Sequence, residues 1–137
     1  MIKFLLIVLF MSHFSYIKAL DLKENKPMFA VIYRGYVKIE LENQYIKNWK
    51  FIASYFINER GALGSTLHKS EDGMWVAYSR WPDKATRDSS WPSSKDNINP
   101  ELPFEVQQAI IELKQCLDLE RQFPEICMEV IEEAVLR

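Results

Sequence analysis

The residues best suited to proton transfer lie close together in the middle of the chain. His68 is one of two histidines, and histidine titrates near neutral pH, so it could accept a proton from a phenol or an activated C–H bond. Tyr78 could hydrogen-bond a phenol or quinone oxygen, and Arg80 could stabilise a phenolate or a superoxide-like anion. We therefore predict His68, Tyr78 and Arg80 as catalytic residues. The alternative is an exposed strand histidine and an arginine in a structural ion pair.

Aromatic and basic residues nearby could hold a flat molecule. Trp91 follows a short predicted helix and precedes a loop, a position where binding sites are common. Tyr33 and Arg34 lie on a predicted central strand, and Val76 lies beside His68 on the predicted hairpin. We predict Trp91, Tyr33, Arg34 and Val76 as substrate-binding residues. Core or dimer packing is the alternative for the tryptophans, because large aromatic side chains dominate cores and interfaces.

A hairpin must position the proposed catalytic residues. The strings "ALGSTLHK" and "MWVAYSRW" alternate as strands do, and Asp-Gly in "SEDG" accepts the positive φ of a tight turn. Alternation places Val76, Tyr78 and Arg80 on one face of the second strand, and Trp75 and Trp81 on the other. A turn at residues 71–73 would set His68 nearly opposite Val76. We expect one patch on this face, with Trp91 able to close over it.

The remaining elements predict an α+β fold. "MFAVIYRGYVKI" alternates as a strand, the stripe Tyr45, Trp49, Ile52 and Phe56 predicts a helix ending at residues 60–61, and residues 101–119 predict another. Asp83 could cap a short helix. Residues 126–132 fit helix or strand equally, and topology favours a strand. The order β-α-β-β-α-β is ferredoxin-like, a four-stranded antiparallel sheet with helices on one face.

Composition excludes several classes of protein. The 137 residues suit one domain, and a formal charge of −2 with scattered basic residues does not indicate binding to nucleic acid or a membrane. The sequence has no P-loop, GxGxxG, HExxH or CxxC motif and no His/Cys cluster, so we predict no metal site. Cys116 and Cys127 are expected to be buried thiols, or a disulfide if the chain is exported.

Residues 1–27 differ from the rest, and we assign the domain to residues 28–137. The apolar run Phe4–Met11 is too short to span a bilayer but has the length of a signal-peptide core, with cleavage near Ala19 and export. Alternatively, this leader is a mis-assigned upstream start. Codons for Lys23 and Glu24 can form a ribosome-binding sequence before Met28. A start at Met28 would imply a cytoplasmic protein.

Several strings resemble the antibiotic biosynthesis monooxygenase family. These are "MFAVIYR", "GxLGSxLHxSEDGxxVAYSRWP" and "FPEICMEVIEE", and the resemblance runs from Met28 to the end of the chain. It implies a homodimeric α+β barrel in which two sheets pack face to face. It also implies a cofactor-independent monooxygenase that uses O2 on a small aromatic or quinone-like molecule.

The family also leaves open a non-catalytic alternative, a dimeric small-molecule-binding or stress-related protein. Its haem-degrading branch has an asparagine on the first strand and a haem-ligating histidine on the later helix. Here the first-strand position is Tyr33 or Arg34, and residues 101–123 contain no histidine. These differences argue against haem degradation.

Overall fold

The computed structural model describes residues 26–91 and 99–134, so the first 25 residues of the predicted leader lie outside the described part of the chain. The leader assignment therefore stays a prediction. The elements, in chain order, are β1 (Phe29–Val37), α1 (Glu42–Glu59), β2 (Gly64–Lys69), β3 (Trp75–Trp81), α2 (Lys84–Ser90), α3 (Phe104–Gln115), β4 (Leu117–Gln122) and β5 (Ile126–Glu129). A single 3-10 turn, Ile39–Leu41, leads into α1.

The sheet has the predicted ferredoxin-like order, β2-β3-β1-β4, with antiparallel pairing throughout. The expected number of strands is corrected from four to five, because β5 also pairs with β1. Strands β4 and β5 together form one edge, interrupted at residues 123–125. The described sheet is open, and its edges do not join into a barrel within one chain.

The predicted helix at 101–119 is shorter than expected, and this is a second correction. Helix α3 ends at Gln115, where the Cys116 amide bonds back to the carbonyls of Leu113 and Lys114. The Lys38 amide donates to the Cys116 carbonyl at 2.9 Å, and Leu117 then pairs with Val37 on β1. Leu117 therefore belongs to a strand that pairs with β1, although its spacing in the sequence also fits the helix.

The hairpin and the helix cap form as predicted. The Ser70 amide donates to the Met74 carbonyl at 2.7 Å, and Gly73 has a φ of +91°. That positive φ is the reason a glycine suits the turn. Asp83 caps α2, because its carboxylate accepts a 2.7 Å hydrogen bond from the Thr86 amide.

Helices α1 and α3 cover one face of the sheet, and the core between them is divided. Asn48 on α1 donates to Glu112 on α3 at 3.2 Å. The two core clusters are Phe29, Val31, Phe56, Ala62, Trp81, Leu102, Val106 and Ile110 at one end, and Val37, Tyr45, Trp75 and Cys116 at the other. A small domain usually has one contiguous core, so the division calls for an explanation.

The other face of the sheet is open. It carries half-exposed side chains that include Ile32, Val76 and Tyr78, together with the exposed Thr66 and His68. No helix in the described parts of the chain is long and apolar enough to cross a membrane.

Candidate functional site

A cavity of about 280 Å³ lies between the sheet and the two long helices. Its walls include residues of both core clusters: Phe56, Trp81 and Ile110 from one, and Tyr45 from the other. The cavity therefore lies where the core divides. Its lining is mostly apolar, with few polar side chains, which is the usual composition of a small-molecule site.

Small side chains on the sheet create the space. Ser65 on β2 is paired with Ser79 on β3, and both line the cavity together with Ala77. These three lie on the helix-facing side of the hairpin, between Trp75 and Trp81, which are both buried. Because two large residues hold the helices away at either end and small ones lie between them, the middle of the layer stays unfilled.

One end of the cavity is lined by aromatic rings. The ring centroid of Phe56 lies 6.1 Å from that of Trp81 and 5.3 Å from that of Trp91. All three residues line the cavity. Their edge-on and tilted arrangements are typical of packed aromatic side chains, and they provide flat apolar surface for an aromatic ligand.

A polar cluster of three residues lies against the same cavity. The Arg87 guanidinium donates from Nη2 to both carboxylate oxygens of Glu125 at 2.7 Å, and to the Tyr33 hydroxyl at 3.4 Å. Tyr33 and Glu125 line the cavity, whereas Arg87 lies behind them and is 2% exposed.

Burial and charge set the protonation of this cluster. Burial raises the pKa of Tyr33 above its ordinary value, and the neighbouring Arg87 opposes part of that shift. Burial would lower the pKa of Arg87, but hydrogen bonds and charge from Tyr33 and Glu125 outweigh it and raise the pKa. Near neutral pH the cluster therefore consists of a neutral phenol and a charged guanidinium.

The described residues do not suggest a metal site. Within 26–91 and 99–134, no three His, Cys, Asp or Glu side chains come close enough together to hold a metal ion. The polar cluster at the cavity contains one carboxylate, and Arg87 already engages both of its oxygens.

Solved structures share this architecture. No protein-family model and no curated protein matches the chain. The cofactor-independent oxygenase SnoaB from Streptomyces nogalater superimposes with a TM-score of 0.55 at 11% identity, over 78% of this chain and 96% of that one. A candidate antibiotic biosynthesis monooxygenase from Caulobacter crescentus gives 0.59 at 12% identity, over 79% and 93%.

The chain shares the fold of these two proteins. A conserved protein from Methanosarcina mazei also shares it, with a TM-score of 0.57 at 15% identity over 77% of this chain and 94% of that one. The resemblance drawn from the hairpin strings is thus confirmed for the architecture. At these identities the likeness establishes the fold alone, and function has to be argued from the site.

Within this fold, the predicted site residues divide between the two faces of the sheet. Tyr33 and Trp91 line the cavity on the helix side. Arg34 is paired with Val76 and belongs to the other face, but it also reaches the cavity edge, where its guanidinium carbon lies 5.3 Å from the Phe123 ring centroid.

The predicted hairpin patch forms on the open face. His68 lies opposite Val76, and Thr66 lies opposite Tyr78, so His68 and Tyr78 share a face as expected. Arg80 lies on this face too, and its guanidinium is 3.3 Å from Glu133, the structural ion pair considered as an alternative. The catalytic roles of His68, Tyr78 and Arg80 stay predictions.

One expected relationship is wrong. Trp91 does not close over His68, because Trp91 packs against Phe56 in the helix-side core. The sheet lies between the two residues. Trp75 and Trp81, expected to serve packing or the dimer, are both buried on the helix side.

Sequence reasoning missed Arg87 and Glu125. Arg87 lies in a short polar helix, and Glu125 follows a proline, so both resemble surface residues in the sequence. They are 38 positions apart and meet only through the tertiary fold. No local pattern contains that information.

Proposed function

We propose that the cavity binds a small aromatic or quinone-like molecule and that the protein is a cofactor-independent monooxygenase. The observation that carries the proposal is the divided core, in which small sheet residues leave an apolar space walled by Phe56, Trp81 and Trp91. SnoaB, a cofactor-independent oxygenase, shares the fold and supports the reaction class.

The proposed chemistry needs only the substrate and O2. An activated CH2 group beside an aromatic ring loses a proton, and the resulting carbanion transfers one electron to O2. The two radicals combine, and the peroxide takes up a proton. Loss of water then leaves a carbonyl, so one oxygen atom enters the substrate and the other leaves as water. The residues of the cavity would hold the ring flat, exclude bulk water and hydrogen-bond the substrate oxygen.

The proposed reaction needs a proton acceptor. Glu125 is the carboxylate that lines the cavity, but Arg87 engages both of its oxygens. His68 and Tyr78 lie beyond the sheet and would serve this step only at a second site formed between two copies. The non-catalytic alternative, a dimeric small-molecule-binding protein, is favoured if the Arg87 pairing keeps Glu125 from accepting the substrate proton.

We also propose a homodimer that packs through the open face of the sheet. That face carries Ile32, Val76 and Tyr78, all half-exposed, and contiguous apolar surface on a monomer commonly marks an interface. Two open faces in contact would complete the dimeric barrel that the fold resemblance implies.

Oxygen uptake tests the proposed function. Purified full-length protein is incubated with anthrone and with hydroquinones, and O2 consumption is followed against a protein-free control. The proposal expects enzyme-dependent uptake that Ala53→Phe suppresses, because Ala53 lines the cavity. The matched control is Ser54→Phe, the same replacement at the next, exposed residue. Ligand binding without O2 uptake would favour the non-catalytic alternative.

A further inference from the structure

Arg87 is the buried residue that the proposed function leaves without a role. It is 2% exposed and does not line the cavity, but it contacts two residues that do, Tyr33 and Glu125. A buried guanidinium is costly unless it is paired. Glu125 provides that pairing, so the additional contact with Tyr33 needs a separate explanation.

The donor and acceptor in this contact are fixed by chemistry. A guanidinium has five N–H donors and no acceptor, so the Tyr33 hydroxyl must accept from Arg87. The Tyr33 hydroxyl can still donate its own proton, and no described residue accepts it. Because the pKa of Tyr33 is raised, chiefly by burial, the hydroxyl keeps that proton at neutral pH.

We propose that Arg87 is a positioning residue that directs the Tyr33 hydroxyl proton into the cavity, so that the site selects flat aromatic ligands with a carbonyl or other acceptor oxygen. The inference rests on the proposed function, because it assigns a ligand class to the same cavity. Glu125 contributes by holding the same guanidinium nitrogen, Nη2, which lies 2.7 Å from both of its carboxylate oxygens.

The arrangement favours an acceptor over a donor on the ligand. Tyr33 presents an O–H group whose proton has no acceptor among the described residues, whereas each Glu125 oxygen already accepts one hydrogen bond from Arg87. Trp81, whose ring packs against Phe56, also lines the cavity, and its buried indole N–H has no partner among the described residues, so it too offers a donor. A planar molecule with one acceptor oxygen would satisfy Tyr33 without leaving a donor of its own unpaired in the cavity.

Two probes of nearly the same shape test the selection. 9-Fluorenone and fluorene are both planar, and they differ in having a carbonyl or a CH2 group at one position. Equilibrium dialysis against the full-length protein measures both affinities without relying on tryptophan fluorescence. One neutral hydrogen bond predicts that fluorenone binds about threefold to tenfold more tightly than fluorene.

Variants then separate Tyr33 from Arg87. Tyr33→Phe should remove the preference for fluorenone and leave fluorene affinity unchanged. Arg87→Lys keeps a positive charge but loses the planar guanidinium, and it should also remove the preference although Tyr33 is intact. Arg121→Lys is the control, because Arg121 is an exposed arginine that pairs with Asp118.

A tyrosine NMR titration adds a readout that a purely structural role would not change. Arg87 lowers the pKa of Tyr33 against the effect of burial, so Arg87→Gln should raise the pKa of Tyr33 further. If Arg87→Gln fails to fold, Arg87→Lys still reports through the two probe affinities.

The outcomes distinguish this inference from the proposed function. Equal binding of fluorenone and fluorene by the unmodified protein would overturn the inference and leave an aromatic-binding cavity. A fluorenone preference that persists in Arg87→Lys would overturn the role of Arg87. Binding of neither probe would contradict the cavity as an aromatic site, and with it the proposed function.

Discussion

The Arg87 guanidinium lies 2.7 Å from both carboxylate oxygens of Glu125, and this pair ties helix α2 to the interruption between β4 and β5. The arginine side chain is 3% exposed and the glutamate side chain 34% exposed. Water can therefore reach the carboxylate but hardly the guanidinium. Loss of the carboxylate would leave a buried charge without its main partner.

Glu125→Gln should consequently destabilise the protein. The amide keeps the shape of the side chain but not its charge, and we expect the free energy of unfolding to fall by about 1–3 kcal/mol. Urea denaturation of both proteins measures the difference. Glu129→Gln, at an exposed position of β5, is the matched control and should change stability by less than about 0.5 kcal/mol. Equal effects in the two variants would show that the ion pair contributes nothing.

Tyr45 should make the free energy of unfolding depend on pH in the alkaline range. Burial raises its pKa from 10.0 to about 12. Between these values the unfolded chain loses the Tyr45 proton while the folded chain keeps it, so the free energy of unfolding falls as pH rises. At about pH 11 the loss should be about 1 kcal/mol relative to neutral pH.

Tyr45→Phe provides the comparison, because it removes this titration and leaves Tyr33 and the lysines in place. Urea denaturation at neutral pH and at about pH 11 should show a smaller alkaline loss for the variant than for the unmodified protein. Identical losses would mean that Tyr45 titrates alike in both states.

The open face should mediate self-association. Val76→Arg places a charge directly between Arg34 and His68 on that face, and we expect light scattering at micromolar concentration to change from a dimer mass to a monomer mass. Ile46→Arg, at an exposed position of helix α1, is the control and should remain dimeric. A monomer mass for the unmodified protein would refute the proposed homodimer.

His68→Ala tests where the chemistry occurs. His68 is exposed on the open face, so its replacement should leave the melting temperature nearly unchanged. If the reaction takes place in the cavity, O2 uptake should also persist in this variant. Loss of uptake with unchanged stability would instead support the sequence-based prediction that His68 is the catalytic base.

The sequence predicted the hairpin well because its information is local. Alternation and Asp-Gly place His68 opposite Val76 without reference to the rest of the chain. Strand β4 was missed because Leu117 fits a helical stripe, and only pairing with Val37 makes it a strand. The register was therefore predictable where a turn fixes it, and not where a distant strand does.

Part of the cavity lining was predicted for the same reason. Tyr33 and Trp91 were identified from residue type and position, and both line the cavity. The face of the sheet that carries the cavity could not be predicted. Alternation separates the two sides of a strand but does not say which side the helices cover. The contact between Arg87 and Glu125 could not be predicted from the sequence, since a pair formed across 38 residues leaves no local pattern.

The divided core has a consequence for how the sequence of this protein can evolve. The two apolar clusters at its ends hold the helices on the sheet, whereas Ser65, Ala77 and Ser79 between them set the depth of the cavity. A change in the size of these three side chains would reshape the space without removing a buried anchor from either cluster. Ligand preference could thus diverge between relatives through substitutions that leave the scaffold intact, so folding would constrain the specificity of such a domain only weakly.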